Sequence, residues 1–272
     1  MTEHGNNNAH GLALPKEYGG FAKMDFHIHT PVSLCYEDNM YTELNLHTTP
    51  DDIVRAALAS GLTAMVISDH NAVANIDPIR AVAKELGLVI FPGMELTTEG
   101  GHMLALFETD TSTDYMAELL DALEYPMEER GNGSYSTHFW LDECADKVES
   151  FGGLAIAAHI DREPRGFAAG YFDRSIKQRI HGSDYLGGLE ITDPRNKKNW
   201  EEGAMRYFSK PYPVVQGSDA HSPGEVGRRP TYIYLQELTL HGLRKAFEEY
   251  QDFVKFPSEL ETELGRPLKP AQ

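Results

Sequence analysis

A chain of 272 residues, 41% of them hydrophobic and 24% charged, is long enough for one large α/β domain and has the composition of a globular protein. Forty-two acidic residues against 24 basic ones leave a net charge of −18, which opposes non-specific binding to a nucleic-acid backbone and means that a phosphate substrate must meet a local reversal of the field. No apolar run approaches the roughly 18 residues that a membrane span needs, and two cysteines, Cys35 and Cys144, are too few for a disulfide framework, so a cytoplasmic setting is expected.

Residues 1–20 read as a flexible polar tail with no signal-peptide core, residues 21–254 as one folded domain with a partly helical insertion around 108–152, and 255–272 as a C-terminal tail. The first strand, near 23–29, carries Asp25-Phe26-His27-Ile28-His29. Thr49-Pro50-Asp51-Asp52 then has the punctuation of a helix start: a capping hydroxyl, a proline at the first position and acids near the dipole. Ile53, Val54, Ala57 and Leu58 make its apolar face, and Gly61 closes it. Residues 62–68 form a continuous apolar run, as in a strand buried on both faces, and lead into Asp69-His70. A helix over 75–86 stops at Gly87, and a third strand ends in Glu95. Gly100-Gly101 marks a turn, and His102 begins a fourth strand. Helices are predicted over 113–124 and 137–151, with Cys144 on the core face of the second and His138 on the surface. A strand over 154–158 ends in His159, and a loop with Arg162, Arg165 and Gly166 follows. The strand near 185–191 carries Glu190, read as a carboxylate that is structural or stands behind the metal ligands. After a helix over 197–208, residues 213–217 lead into Ser218-Asp219-Ala220-His221. A strand over 231–235 and a helix over 239–250 complete the domain.

Side chains two apart on a strand share a face, so Asp25, His27 and His29 line one side of the first strand. The alternation of strands and helices predicts a parallel sheet, open or closed into a barrel. His27 and His29, His70, Glu95, His159, and Asp219 with His221 all fall where predicted strands end, and His102 sits across a short turn from Glu95. That end of the strands carries the active site in α/β barrels. Six histidines and two carboxylates placed so consistently predict a multinuclear metal site.

Asp-Phe-His-Ile-His-Thr (25–30), Ser-Asp-His (68–70), Pro-Gly-Met-Glu (92–95) with His102, Ala-His (158–159) and Gly-Ser-Asp-Ala-His (217–221) resemble, in order, the motifs of the PHP (polymerase and histidinol phosphatase) family. The resemblance implies an α/β fold, a distorted (β/α)7 barrel with its metal site at the C-terminal ends of the strands. It also implies two or three divalent ions (zinc, manganese or iron) and phosphoester hydrolysis by a metal-bridging hydroxide. It assigns His27, His29, Glu95 and Asp219 to a first metal position, His70 and His221 to a second, and His102 and His159 to a third, with Glu95 bridging the first and third. Asp25 and Asp69 are implied to orient the histidines. Where the family usually completes the second position with histidine or aspartate, this chain has Leu34 and Cys35. Cys35 as a thiolate, Glu37 or Asp38 from the same loop, and an incomplete site all stay open.

Arg162, Arg165 and Arg228 are the arginines placed by sequence to hold a phosphate, since guanidinium pairs with it bidentately. The expected substrate is a small phosphorylated metabolite or nucleotide, with nucleic acid entering only as a short oligonucleotide or nucleotide. Tyr36, Tyr41, Tyr115, Tyr125 and Tyr135 are candidates to stack on a base. Two other readings are a metal-dependent amidohydrolase, which would commonly bridge its metals with a modified lysine, and a metal-stabilised non-catalytic module. The sequence leaves the oligomeric state open.

Overall fold

In the computed structural model residues 20–36 and 48–268 are described; Glu37, Asp38, Tyr41, nearly all of the expected N-terminal tail and the last four residues of the expected C-terminal tail lie outside them. Among the described residues nine strands form one sheet: β1 (Phe21–Ile28), β2 (Ala64–Ile67), β3 (Val89–Thr98), β4 (Gly101–Leu106), β5 (Leu154–Ala157), β6 (Leu186–Glu190), β7 (Val214–Val215), β8 (Thr231–Tyr234) and β9 (Val254–Lys255). Their order is β7-β6-β5-β4-β3-β2-β1-β8-β9. The sheet curls until the chain beyond β7 meets β1. Ala220 bridges to Ile28 in parallel, and the His29 N–H donates to the Ala220 carbonyl at 2.9 Å. Seven strands thus nearly close a distorted barrel, and β8 and β9 extend it antiparallel from β1.

The chief distortion lies in β4, which runs antiparallel to both β3 and β5, so the sheet is not uniformly parallel. The cause is local. Gly100 and Gly101 have φ of +110° and +132°, a backbone that only glycine adopts without strain, and they fold β3 back on itself in a hairpin. The reversal puts the start of β4, where His102 lies, at the same end of the barrel as the finish of β3.

The helices follow the apolar spacing. α1 (Pro50–Ala59) is capped by Thr49, whose N–H donates to Asp52 Oδ2 at 2.9 Å while the Asp52 N–H donates to Thr49 Oγ1 at 3.3 Å. α2 (Ile76–Leu86), α3 (Thr113–Ala122) and α4 (Leu141–Ser150) bury Ile79, Leu119 and Cys144 against one face of the sheet. The opposite face encloses Met24, Phe26, Val66, Phe91 and Ile156. α7 (Leu240–Glu248) reaches this second core with Leu243 and Phe247, and Phe247 stacks on Phe26 at 6.4 Å.

Several expectations are corrected here. α4 begins at residue 141 because 137–139 is drawn into extended pairing, Thr137 N–H to the Thr97 carbonyl and Glu99 N–H to the Phe139 carbonyl. α6 (Lys197–Glu201) is one turn long, and Gly203 at φ +63° ends it. α5 (Arg174–His181) was not foreseen, since Lys177, Gln178 and Arg179 hide its short apolar face of Ile176 and Ile180. Residues 255–268 do not hang free. After a short α8 (Tyr250–Phe253), β9 and α9 (Pro257–Leu264) dock through the fully buried Leu260, and Lys197 Nζ joins the Val254 carbonyl to Glu259 at 3.1 Å.

His181 is buried among Phe167, Trp200, Phe208 and Tyr212. Burial, helped by Lys210, pushes its pKa down to about 4. The folded state then holds fewer protons than the unfolded chain between pH 4 and the ordinary 6.5. His181 therefore supports stability fully above 6.5 and loses it as the pH falls toward 4, an effect of about 1–2 kcal/mol after discounting for nearby water. His181→Phe should flatten this acid limb relative to wild type in denaturant titrations from about pH 7 to pH 4. An unchanged acid limb would contradict the assignment.

Candidate metal centre

Each of the first seven strands delivers a polar residue to the same end of the barrel. His27 and His29 come from the end of β1, His70 follows β2, Glu95 lies on β3, His102 starts β4, His159 follows β5, Glu190 ends β6, and Asp219 with His221 follows β7. Three of the residues around this end, Asn71, His159 and Asp219, hold positive φ of 48°, 27° and 49°. Non-glycine residues pay for such conformations, which cluster at functional sites. Gly217 allows the close approach: a Cβ there would lie 2.5 Å from the His27 Cβ and 2.8 Å from Glu190 Oε1.

The hydrogen bonds behind the imidazoles fix which nitrogen faces inward. His27 Nδ1–H donates to Glu190 Oε2 at 3.0 Å, leaving the Nε2 lone pair free. Ser33 Oγ donates to Asp69 Oδ1 at 2.6 Å, so it accepts from His29 Nδ1–H at 3.0 Å, and His29 likewise presents Nε2. His221 Nδ1–H donates to the Asp219 carbonyl at 3.0 Å, and again Nε2 is left. This is the support that metal-bound histidines require.

The inward atoms converge. Among His27 Nε2, His29 Nε2, Glu95 Oε2 and Asp219 Oδ1, five separations run from 3.1 to 3.5 Å. Four ligands around a divalent ion at 2.0–2.1 Å form a tetrahedron with edges of about 3.3–3.4 Å. Glu95 Oε2 lies 3.3 Å from His27 Nε2, 3.3 Å from His29 Nε2 and 2.9 Å from His70 Nδ1, yet Oε2 and His70 Nδ1 are buried with no hydrogen-bond partner. The other oxygen, Oε1, meets His102 Nδ1 at 2.8 Å and His159 Nε2 at 2.9 Å, so the two Glu95 oxygens face two groups of imidazoles. Groups able to hold an ion are His27, His29 and Glu95; His70, Glu95 and His102; and His29, His70 and His221. Burial alone would raise Glu95, but His102, His27 and His70 outweigh it and hold the carboxyl well below its ordinary range. Asp219 is lowered in the same way: burial opposes, and His27 and His29 prevail.

The remaining candidates divide. Asp69 acts on His29 only through Ser33, and also accepts from the Thr30 N–H and Oγ1. Asp25 touches no imidazole. Its carboxylate accepts from the N–H groups of Ser218 and Gly227 at 2.8 Å and of His27 at 3.3 Å, so it ties β1 to the 218–227 loop and does not orient a ring. Arg162, Arg165 and Cys35 line a cavity of about 180 Å³ with His70, Glu95 and Asp219. Arg162 pairs with Asp219 Oδ2. Arg228 lies outside that lining, and its guanidinium is committed to the carbonyls of Ser218 and Asp219 and to Glu225. Tyr36 and Tyr125 are buried, the latter with its hydroxyl on the Thr97 carbonyl at 2.6 Å, and no described tyrosine lines the cavity. Cys144 is core and His138 is exposed beside Glu124. Glu190, at the end of β6, stands behind His27 and the His159 backbone as a supporting carboxylate, in line with its reading from the sequence.

No family model matches the chain. The chain is 28% identical over 248 residues to a probable histidinol-phosphatase of Deinococcus radiodurans, an alignment covering 75% of this chain and 88% of that protein. The fold is also that of a two-domain protein from Bacteroides vulgatus containing a predicted PHP-like metal-dependent phosphoesterase, with a TM-score of 0.57 and 18% identity over 87% of this chain and 66% of that one. These likenesses support a relationship to the PHP family. The lesion-specific endonuclease Q of Pyrococcus furiosus shares the fold as well, with a TM-score of 0.63 and 19% identity over 87% of this chain. This chain spans only 58% of that endonuclease's length.

The likeness to a probable histidinol-phosphatase and to a PHP-like phosphoesterase supports a metal-dependent hydrolase of phosphoester bonds. No helix among the described residues is long and apolar enough to cross a membrane. Glu190 supports two of the candidate ligands at once, accepting from His27 Nδ1 at 3.0 Å and from the His159 N–H at 2.9 Å. Outer partners of this kind are worth 10–100-fold in metal affinity. Glu190→Gln is expected to weaken the tightest metal by roughly that factor in a competition titration, and an unchanged affinity would show that Glu190 only supports the fold.

Proposed function

We propose that this site hydrolyses the phosphate ester of a small phosphorylated metabolite or nucleotide, with two or three divalent ions held by His27, His29, Glu95 and Asp219, by His70 and His221, and by His102 and His159 with Glu95 shared. The observation that carries the reading is the buried Glu95 carboxylate, one oxygen within 3.3 Å of three imidazoles and the other within 2.9 Å of two. Ions bound there supply Lewis acidity and an activated water nucleophile at neutral pH. The protein's own residues do the rest. The buried imidazoles and carboxylates keep ligand positions fixed before substrate arrives, so little reorganisation opposes the reaction. Arg162 and Arg165 bring cationic donors to the mouth of the cavity, where phosphate oxygens would lie, and this local positive charge answers the net −18 of the chain. A cavity of about 180 Å³ lined by no described phenylalanine, tyrosine or tryptophan suits a terminal phosphate better than an enclosed base.

A second reading, a nucleic-acid substrate, is favoured by the shared fold with endonuclease Q. Phosphate release measured over a panel of sugar phosphates, nucleotides and histidinol phosphate, beside strand cleavage of a 5′-phosphorylated oligonucleotide and of a duplex with an abasic site, separates the two. Turnover confined to the small esters supports the proposal, turnover of the polynucleotides alone moves the substrate to the second reading, and no turnover of any overturns both.

A further inference from the structure

Cys35 lies in the turn after β1 with its thiol exposed, while Cys144 is sealed in the core. Its Sγ is 3.1 Å from His221 Nε2, the nitrogen left with a free lone pair because Nδ1–H is spent on the Asp219 carbonyl. The same thiol interacts with the His70 imidazole. His70 is 6% exposed, its Nδ1 has no hydrogen-bond partner, and its ring nitrogens lie within 4.8 Å of those of His29 and His221. The turn itself is held in place. Ser33 Oγ accepts from the His70 N–H at 3.1 Å, and the Leu34 N–H donates to the Gly131 carbonyl at 2.9 Å, so Cys35 faces the two imidazoles from a fixed backbone.

We infer that Cys35, His70 and His221 form a thiolate-bearing metal position that selects zinc. The inference rests on the metal-dependent reading above and goes beyond it in naming the third ligand and the ion. On binding, the Cys35 S–H bond is lost, its proton passes to solvent, and sulfur donates an electron pair to the metal; no oxidant or reductant takes part. A thiolate with two imidazoles is a soft donor set that favours zinc over manganese, whereas the imidazole and carboxylate ligands around Glu95 and Asp219 do not discriminate between them. One protein therefore holds positions of different metal preference, and the zinc position alone carries a solvent-facing sulfur.

The test uses the full chain stripped of metal and reloaded with Co²⁺ or Zn²⁺ alone. Wild type with cobalt should show thiolate-to-cobalt charge-transfer absorption, and Cys35→Ser should lose that band together with one tightly bound zinc. Zinc should slow alkylation of Cys35 by iodoacetamide at least about tenfold, a protection expected of a coordinated thiolate, with buried Cys144 as the internal reference. Cys35→Asp guards against a folding defect: it should keep the metal count, lack the band, and shift preference from zinc toward manganese by about tenfold. Metal-loaded wild type with neither band nor protection would overturn the thiolate position and leave the proposed function standing. A chain that binds no metal at all would overturn both.

Discussion

Glu95→Gln is expected to lower turnover by about 10³-fold or more and to cost the protein more than one metal ion. The substitution keeps the size of the side chain and removes its charge, so the barrel should still form. What it removes is the one anion that faces both groups of imidazoles: Oε2 toward His27, His29 and His70, and Oε1 toward His102 and His159. An amide offers one carbonyl oxygen in place of two carboxylate oxygens, and its NH2 group would point at lone pairs that need a cation. Lewis-acid stabilisation is worth several kcal/mol in such sites, and each 1.36 kcal/mol is a factor of ten. Elemental analysis beside phosphate release decides the matter. A variant with full metal content and full turnover would show that Glu95 is only packing. A variant with full metal content and no turnover would place Glu95 in the chemistry and outside the binding of metal. A neighbouring acid makes the contrast useful. Asp25 is equally buried but collects backbone N–H groups, so its loss should act through stability.

The recurrence of one polar residue at each strand end was legible because the sheet repeats: every β-to-loop transition delivers a side chain to the same rim, and spacing along the chain reports that rim directly. The hairpin at Gly100-Gly101 could be seen as a turn, but not its consequence for strand direction, since a βα pattern gives no sign that one member runs backwards. What the sequence withheld was pairing across the barrel. Arg228 and Arg162 look alike by position, yet one braces the backbone of Ser218 and Asp219 and the other reaches the Asp219 carboxylate. Asp25 and Asp69 each precede a histidine, but only Asp69 has a serine relay to a ring. Such differences are set by the long-range meeting of β1 with the chain beyond β7, about 190 residues away, which no local pattern encodes. The C-terminal segment, expected as a tail, docks for a related reason: the buried Leu260 and the Lys197–Glu259 pair, formed across the chain, hold a two-turn helix in place.

Removing the metals should lower the melting temperature, and the gap between loaded and stripped protein should widen as the pH rises. Ions that bind only the folded state stabilise it by about 2.7 kcal/mol each at a hundred times their Kd, or roughly 5–10 °C per ion for a chain of this size. The pH dependence follows from what holds the stripped cluster together. Burial alone would lower His27, but Glu190, Glu95 and Asp219 raise its pKa well above the ordinary value. His70 is raised as well, with burial opposing and Glu95 prevailing. In the metal-free protein these histidines therefore carry protons that pair with the carboxylates. A group whose folded pKa is raised contributes its full stability below the unfolded value of about 6.5 and loses it as the pH climbs through the folded value. Stripped protein should accordingly weaken on going from about pH 6 to pH 8. Loaded protein behaves in the opposite sense, because an imidazole must shed its proton to ligate, so metal binding releases protons and tightens as the pH rises. Melting curves of the loaded and chelated forms at these two pH values test both limbs at once. A gap that stays constant or narrows toward pH 8 would mean that His27 and His70 do not exchange protons for metal.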